Sequence, residues 1–345
     1  MVVCLSAIVV AQDEVPGVVR AERLVKQLEL PDKCPDAMYA LWQLGADAVP
    51  ALSRAVRDPR IEVLESACAV IHEMKDVAAP MRTHLERELK QADGRRKKAL
   101  EWALRAVTSQ TIAVAGWTGE IVLLDRSGKV QEHHKGFKQL WGVQLLPSGG
   151  FLVAQGADGA VVNVDAGGDV IKQLDGQQDE VSFGPGLRAQ RLLNGHTVIV
   201  SSRKNVRELD ACGKLVWKYK AVATVATRLL NGHTLIVSNR QNQLLEVNRD
   251  GKVARSFKIP PLTFGARRLP NGHTLLTTRS SHCLIELDAD GKQVKTNKTL
   301  NDPNDVLRYA DGTTIIASQK GVTAYGADGE TLWTHKMEWA GGLAR

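Results

Sequence analysis

Two periodicities divide the chain. From about Gly17 to Val107, apolar residues recur at helical spacing: Leu24, Leu28 and Leu30, then Met38, Leu41, Trp42 and Leu44, mark one buried face. Pro31, Pro50, Pro59 and Pro80 each open or precede a segment. A proline in a first helical turn has no N–H to lose, whereas an interior one costs ~3 kcal/mol. The pattern predicts helices over 20–30, 35–44, 48–57, 61–74, 78–91 and 95–107. The stretches running from Leu44 to Leu52 and from Met74 to Met81 align at an offset of 30 residues, so the helices form a repeat.

After Ser109 the pattern turns to alternation. Four segments begin with Arg191, Arg228, Arg268 and Arg308, each followed by a turn at Gly195, Gly232, Gly272 or Gly312 and then by a β-branched run. An Asn-Gly or Asp-Gly pair between alternating strands is a strong hairpin signal. A degenerate fifth copy runs from Gln144 to Val153. A second turn follows each hairpin, in six copies centred on Gly128, Gly168, Gly213, Gly251, Gly291 and Gly329. Every unit therefore reads strand–turn–strand–loop–strand–turn–strand over about 40 residues, the length of a propeller blade.

The ends of this region set the count. The segment opening at Thr111 matches a second strand whose first strand is missing, and the segment from Trp339 to Arg345 matches a first strand cut short of its turn. Pairing the two closes a ring and removes the open edge. The expected blades are 111–135 with 340–345, then 142–175, 187–220, 224–258, 265–298 and 304–336. The predicted fold class is α + β and multidomain: an N-terminal segment 1–16, an α-helical domain 17–108 and an all-β six-bladed propeller 109–345 closed by its C-terminal strand.

The aligned helical stretches resemble HEAT-like repeats, which implies three stacked helical pairs and a surface for a protein partner. The Asp-x-x-Gly-Lys turn, twice leading to Trp (Trp217 and Trp333), resembles the blades of the PQQ-binding-like propellers. The hairpin Leu269-Pro270-Asn271-Gly272-His273-Thr274 is similar to those of arylsulfotransferase-type propellers. PQQ enzymes are generally eight-bladed and carry adjacent cysteines, whereas this chain has six units and no Cys-Cys pair. No cofactor is expected on that ground.

Composition narrows the class further. At 345 residues, 43% hydrophobic and 24% charged, without an 18-residue apolar run, the chain is neither a polytopic membrane protein nor largely disordered. The formal charge of +7 is uneven: residues 1–110 hold 16 basic and 16 acidic side chains, residues 111–345 hold 29 and 22. Cys4, Cys34, Cys68, Cys212 and Cys283 are odd in number and scattered, which fits neither a disulfide framework nor a zinc ribbon. The apolar run from Met1 to Ala11 reads as a secretory signal that lacks a basic start, so an exported location competes with a cytoplasmic one. The basic run at Arg95, Arg96, Lys97 and Lys98 is short and lacks interleaved aromatics, so no nucleic acid partner is expected.

Three kinds of residue could carry chemistry. His196, His233 and His273 recur at one turn position in successive blades, too far apart for a shared metal, and read as hairpin residues. Arg191, Arg228, Arg268 and Arg308 pair best with Glu208, Glu246 and Glu286 as staples between blades, because buried guanidinium groups need partners. Past each turn glycine lie Arg203, Arg240, Arg279 and Lys320, in loops expected to share one face with Arg188, Arg267, Trp117 and Trp141. Such a ring would focus positive potential at the channel mouth and clamp an anionic small molecule or acidic peptide. No Walker loop, H-E-x-x-H or G-x-S-x-G is present. The expectation is a non-catalytic binding or scaffold protein. The alternative is an arylsulfotransferase-like or lyase-type enzyme using His282 or His134, and a third reading is a PQQ-dependent dehydrogenase.

Overall fold

A computed structural model describes residues 16–156, 160–174, 188–200, 205–297 and 300–345. Six helices come first: α1 (Gly17–Val25), α2 (Cys34–Leu44), α3 (Val49–Ala55), α4 (Ile61–Met74), α5 (Arg82–Leu89) and α6 (Gly94–Thr108). Two expected helices start later than their patterns suggest, because each is led in by a 3₁₀ turn, Gly45–Ala48 and Lys75–Met81. Both turns open on a left-handed residue, Gly45 at φ 57° and Lys75 at φ 53°. The aligned stretches are thus the same corner used twice, with Pro50 in the first turn of α3 and Pro80 just ahead of α5. The helices share one core built on Leu41, Leu52, Leu64, Ile71, Met81, Leu85 and Leu100.

The rest of the chain forms six antiparallel four-stranded sheets, five of them contiguous in sequence. The sixth takes its first strand from the other end: Ala340–Ala344 pairs with Ile112–Gly116, Val114 facing Leu343. The protein is therefore a six-bladed β-propeller sealed by its C-terminal strand. Burial falls outward within each blade. Strands such as Thr234–Ser238 are buried throughout, whereas outermost strands such as Val253–Lys258 are mostly exposed. Near the axis, neighbouring blades approach closely enough to demand glycine. A Cβ on Gly265 would lie 2.9 Å from Asp305 Cα, and one on Gly342 would lie 2.6 Å from Trp141 O.

Recurrent polar residues tie the blades together. Arg228 pairs with Glu208 of the preceding blade, Arg268 with Glu246 at 2.9 Å and Arg308 with Glu286 at 3.8 Å. Each glutamate also accepts from the histidine of its own hairpin: His196 at 2.8 Å, His233 at 2.9 Å and His273 at 2.8 Å. The arginines reach back to their own turns, Arg228 Nη1 donating to Gly232 O at 2.7 Å and Arg268 Nη1 to Gly272 O at 2.8 Å. In the degenerate second blade Asn163 replaces the glutamate and accepts from Arg191 at 3.1 Å. Burial alone would raise the Glu208 pKa, but His196, Arg228 and Arg249 outweigh it and hold the carboxyl below its ordinary value.

An antiparallel meander puts its first and third turns on one face of the ring and its second loop and the crossings on the other. The helical segment covers the first face. Leu230, beside the Gly232 turn, packs on the helical core, and Tyr39 of α2 packs among Leu229, Val237 and Leu276. Asp76 accepts from Ala310 N at 2.9 Å and pairs with Arg345 at 2.8 Å, and Lys75 Nζ donates to Arg345 O at 3.2 Å. The segment read as a partner surface thus already spends one side on the propeller. Among the described residues no helix is long and apolar enough to cross a membrane.

Candidate functional site

The face opposite the helices gathers aromatic rings at the starts of the innermost strands. Trp141 and Phe264 each precede a strand glycine (Gly142, Gly265), Trp339 leads into the closing strand, and Trp117 follows Gly116 in the first blade's second loop. Their centroids lie 5.1 Å apart for Trp117 and Trp141, 5.9 Å for Trp117 and Trp339, and 5.9 Å for Trp141 and Phe264, the last pair stacked. Such offset and edge contacts suit ring quadrupoles.

Arg279 enters this cluster from its loop. Its guanidinium carbon sits 4.1 Å from the Phe264 centroid, 4.7 Å from Trp339 and 5.7 Å from Trp141. Nε and Nη2 both donate to Asn304 Oδ1, the former at 2.9 Å, while Asn304 Nδ2 donates to Ala340 O at 2.6 Å. Among the described residues Nη1 has no hydrogen-bond acceptor, and the side chain is half-buried. Burial pushes the guanidinium pKa down and the Asp302 charge opposes this. The result is a cation held rigid by rings and a neutral amide, with no ion pair among the described residues. Among the described residues the buried indole N–H groups of Trp141 and Trp339 have no acceptors.

Beneath the cluster a single side chain ties several blades together. Arg188 reaches across the axis, Nη1 pairing with Asp305 Oδ2 at 2.7 Å, Nη2 donating to Phe264 O at 3.1 Å and Asn304 O at 3.0 Å. Asp305 Oδ2 also accepts from Leu343 N of the closing strand at 3.0 Å. One side chain from the third blade therefore joins the fifth, the sixth and the first.

The structure sorts the expected site residues. Trp117, Trp141 and Arg279 come together. Arg240 and Lys320 lie exposed on loops of the same face and pair with no described residue. Arg203 lies outside the described residues. Arg188 is not available to a ligand, since its guanidinium is consumed by Asp305 and three main-chain oxygens. Arg267 is not at this mouth. It lies one residue before the end of its inner strand, near the opposite face, donates to Val306 O at 3.2 Å and sits close enough to Lys75 to depress its pKa. A residue's place along its strand, rather than its blade, decides which face it serves.

His282 lies on the rim in a left-handed conformation, φ 49°, and its Nδ1 pairs with Asp302 at 2.9 Å. His134 is on the outermost strand Val130–Lys135, paired with Glu132 at 3.2 Å and 5.4 Å from Phe151, away from the mouth. Sequence reasoning missed Phe264, Trp339, Asn304 and Asp302. An aromatic residue directly ahead of a glycine at the start of an inner strand, as in Trp141-Gly142 and Phe264-Gly265, was the legible signal. Asn304 carried none. Among the described residues no group of His, Cys, Asp or Glu could hold a metal ion.

Fold and face together define a class: a six-bladed β-propeller with helices over one face and an aromatic, arginine-centred mouth on the other. No family model matches the chain, and no curated protein does. Among solved structures, a protein of unknown function from Bacteroides caccae is 13% identical, covers 68% of this chain and 98% of its own, and has a TM-score of 0.55. Virginiamycin B lyase from Staphylococcus aureus is 10% identical with 65% and 81% covered and a TM-score of 0.45. BamB from Moraxella catarrhalis is 16% identical with 66% and 70% covered and a TM-score of 0.40. The first likeness shows the fold and nothing of activity; the other two are too distant to carry an argument.

Proposed function

We propose that this chain is a non-catalytic binding and scaffold protein whose mouth, on the face opposite the helices, holds an anionic ligand or acidic peptide. The observation that carries this reading is Arg279, packed by three rings and fixed by the uncharged Asn304. A carboxylate approaching Nη1 would meet a preorganised fork, apolar walls for a flanking side chain, and Arg240 and Lys320 as outer steering charges. The side of the helical segment turned away from the propeller is left for a protein partner. The resemblance of the turns to PQQ-binding-like blades, and of the aligned corners to HEAT-like repeats, supports a common repeat ancestry without implying a cofactor.

The test is capture on an array of acidic peptides and their amidated or Asn/Gln counterparts. Wild type is expected to select the acidic members, and the double variant Arg240→Ala/Arg279→Ala to lose that selection. Equal capture of both sets by wild type, or unchanged capture by the variant, would discard the reading.

One observation favours a second reading, the lyase or arylsulfotransferase type of enzyme. Asp302 fixes His282 through Nδ1, leaving Nε2 on the rim in the loop that carries Arg279, the arrangement of an oriented general base beside a cation. Turnover in a screen of sulfate and phosphate esters, abolished by His282→Ala, would install that reading in place of the first.

A further inference from the structure

A second site lies where the helices meet the ring. A cavity of about 10 Å³, the space of one water-sized body, is walled by His72, Trp102, Arg105, Ser109 and Arg345, with Leu145 as an apolar side. Its polar side chains share one property. Trp102 Nε1 donates to His72 Nε2 at 3.0 Å, so the neutral imidazole carries its proton on Nδ1, and among the described residues that buried atom has no partner. Nε of Arg105 and Nε of Arg345 are likewise buried without an acceptor. Ser109 Oγ already accepts from Thr111 N at 3.2 Å and keeps its own hydrogen to give.

We propose that this cavity binds a single monatomic anion of halide size, bridging α4 and α6 to the closing strand of the propeller. A water molecule would present two hydrogens to a wall of donors and leave them unpaired, at a cost of order 1–3 kcal/mol per buried group. A halide can accept from several donors at once without bringing hydrogens of its own. The surroundings carry both signs, Glu73 acting on His72 and Glu132 on Arg105 from outside the pocket lining. The Arg345 side chain is only 4% exposed, and its sole carboxylate partner among the described residues is Asp76. Lys75 donates to the Arg345 main-chain oxygen, and its pKa is pushed down to about 8 by burial and by Arg267. The site is separate from the mouth, since none of its lining residues belongs to the aromatic cluster around Arg279.

The experiment uses the full chain. Crystals soaked in sodium bromide are expected to show an anomalous peak within hydrogen-bond reach of His72 Nδ1, Arg105 Nε and Arg345 Nε. In parallel, sodium chloride or bromide is expected to raise Tm saturably by a few °C above sodium gluconate at equal ionic strength. Arg105→Met should abolish that halide-specific rise, and Arg82→Met, which removes an exposed cation of α5 paired with Glu86, should retain it. Were Arg105→Met unable to fold, the bromide peak alone would decide. A cavity holding only water in bromide, or identical melting in halide and gluconate, overturns the proposal.

Discussion

The two ends of the channel use the same residue type for opposite purposes. On the covered face, Arg228 and Arg268 each face a glutamate that also engages a histidine, and Arg345 faces Asp76. Just inside the mouth, Arg188 is likewise neutralised by Asp305. Arg279, a few residues from that pair along the axis, is held instead by rings and by the neutral Asn304. A guanidinium whose counter-ion is built in is part of the frame, whereas one positioned without a counter-ion keeps its attraction for an incoming anion. Abundance of arginine says little about function; the charge of its partner says a great deal.

The largest effect should come from the axial pair. Asp305→Ala strands a buried guanidinium and leaves Leu343 N without its acceptor, and should cost about 3–5 kcal/mol in denaturant unfolding. The double replacement Arg188→Met/Asp305→Leu should lose clearly less. If it loses as much, the pair is not a charge effect. Next come the staples. Glu246→Ala deprives Arg268 and His233 together and should cost about 2–3 kcal/mol, against about 1 kcal/mol for Asn163→Ala, where the acceptor of Arg191 is uncharged. Equal losses would erase the distinction between charged and neutral acceptors.

A pH dependence follows from His72. Burial lowers its pKa from 6.5 to about 4, so the folded state binds fewer protons than the unfolded one across that interval. Stability is then complete above pH 6.5 and falls as pH drops toward about 4. Urea midpoints measured through that window should decline in wild type and flatten in His72→Gln. The smallest effects belong to the mouth. Arg279→Ala should cost no more than about 1–2 kcal/mol of lost ring contacts, and Arg240→Ala and Lys320→Ala should stay within about 0.5 kcal/mol in thermal melts.

The ring was readable because its turns are. Gly195, Gly232, Gly272 and Gly312 all sit at φ near +80°, which only glycine adopts without strain, so their spacing reports the blade length directly. The closure was legible from two half-units at opposite ends. The staples were readable because an arginine recurring with a glutamate must be satisfied somewhere. The mouth was only half legible. Arg267 and Arg188 have the composition of site residues, but one lies near the far end of its strand and the other crosses the axis, distances that no linear pattern records. Asp302 belongs to a crossing, and Asn304 takes the inner-strand position that Trp141 and Phe264 hold in their blades, so no repeated residue type announces either.

The central claim is that Arg279 is the anion-binding cation of the mouth. Its most direct test is a fluorescence titration with the strongest acidic peptide from the array, read through Trp117, Trp141 and Trp339, on wild type, Arg279→Ala and Arg126→Ala. The account predicts saturable quenching in wild type and Arg126→Ala, and at least a tenfold weaker affinity in Arg279→Ala. Equal affinities for wild type and Arg279→Ala, with both proteins folded, would contradict it.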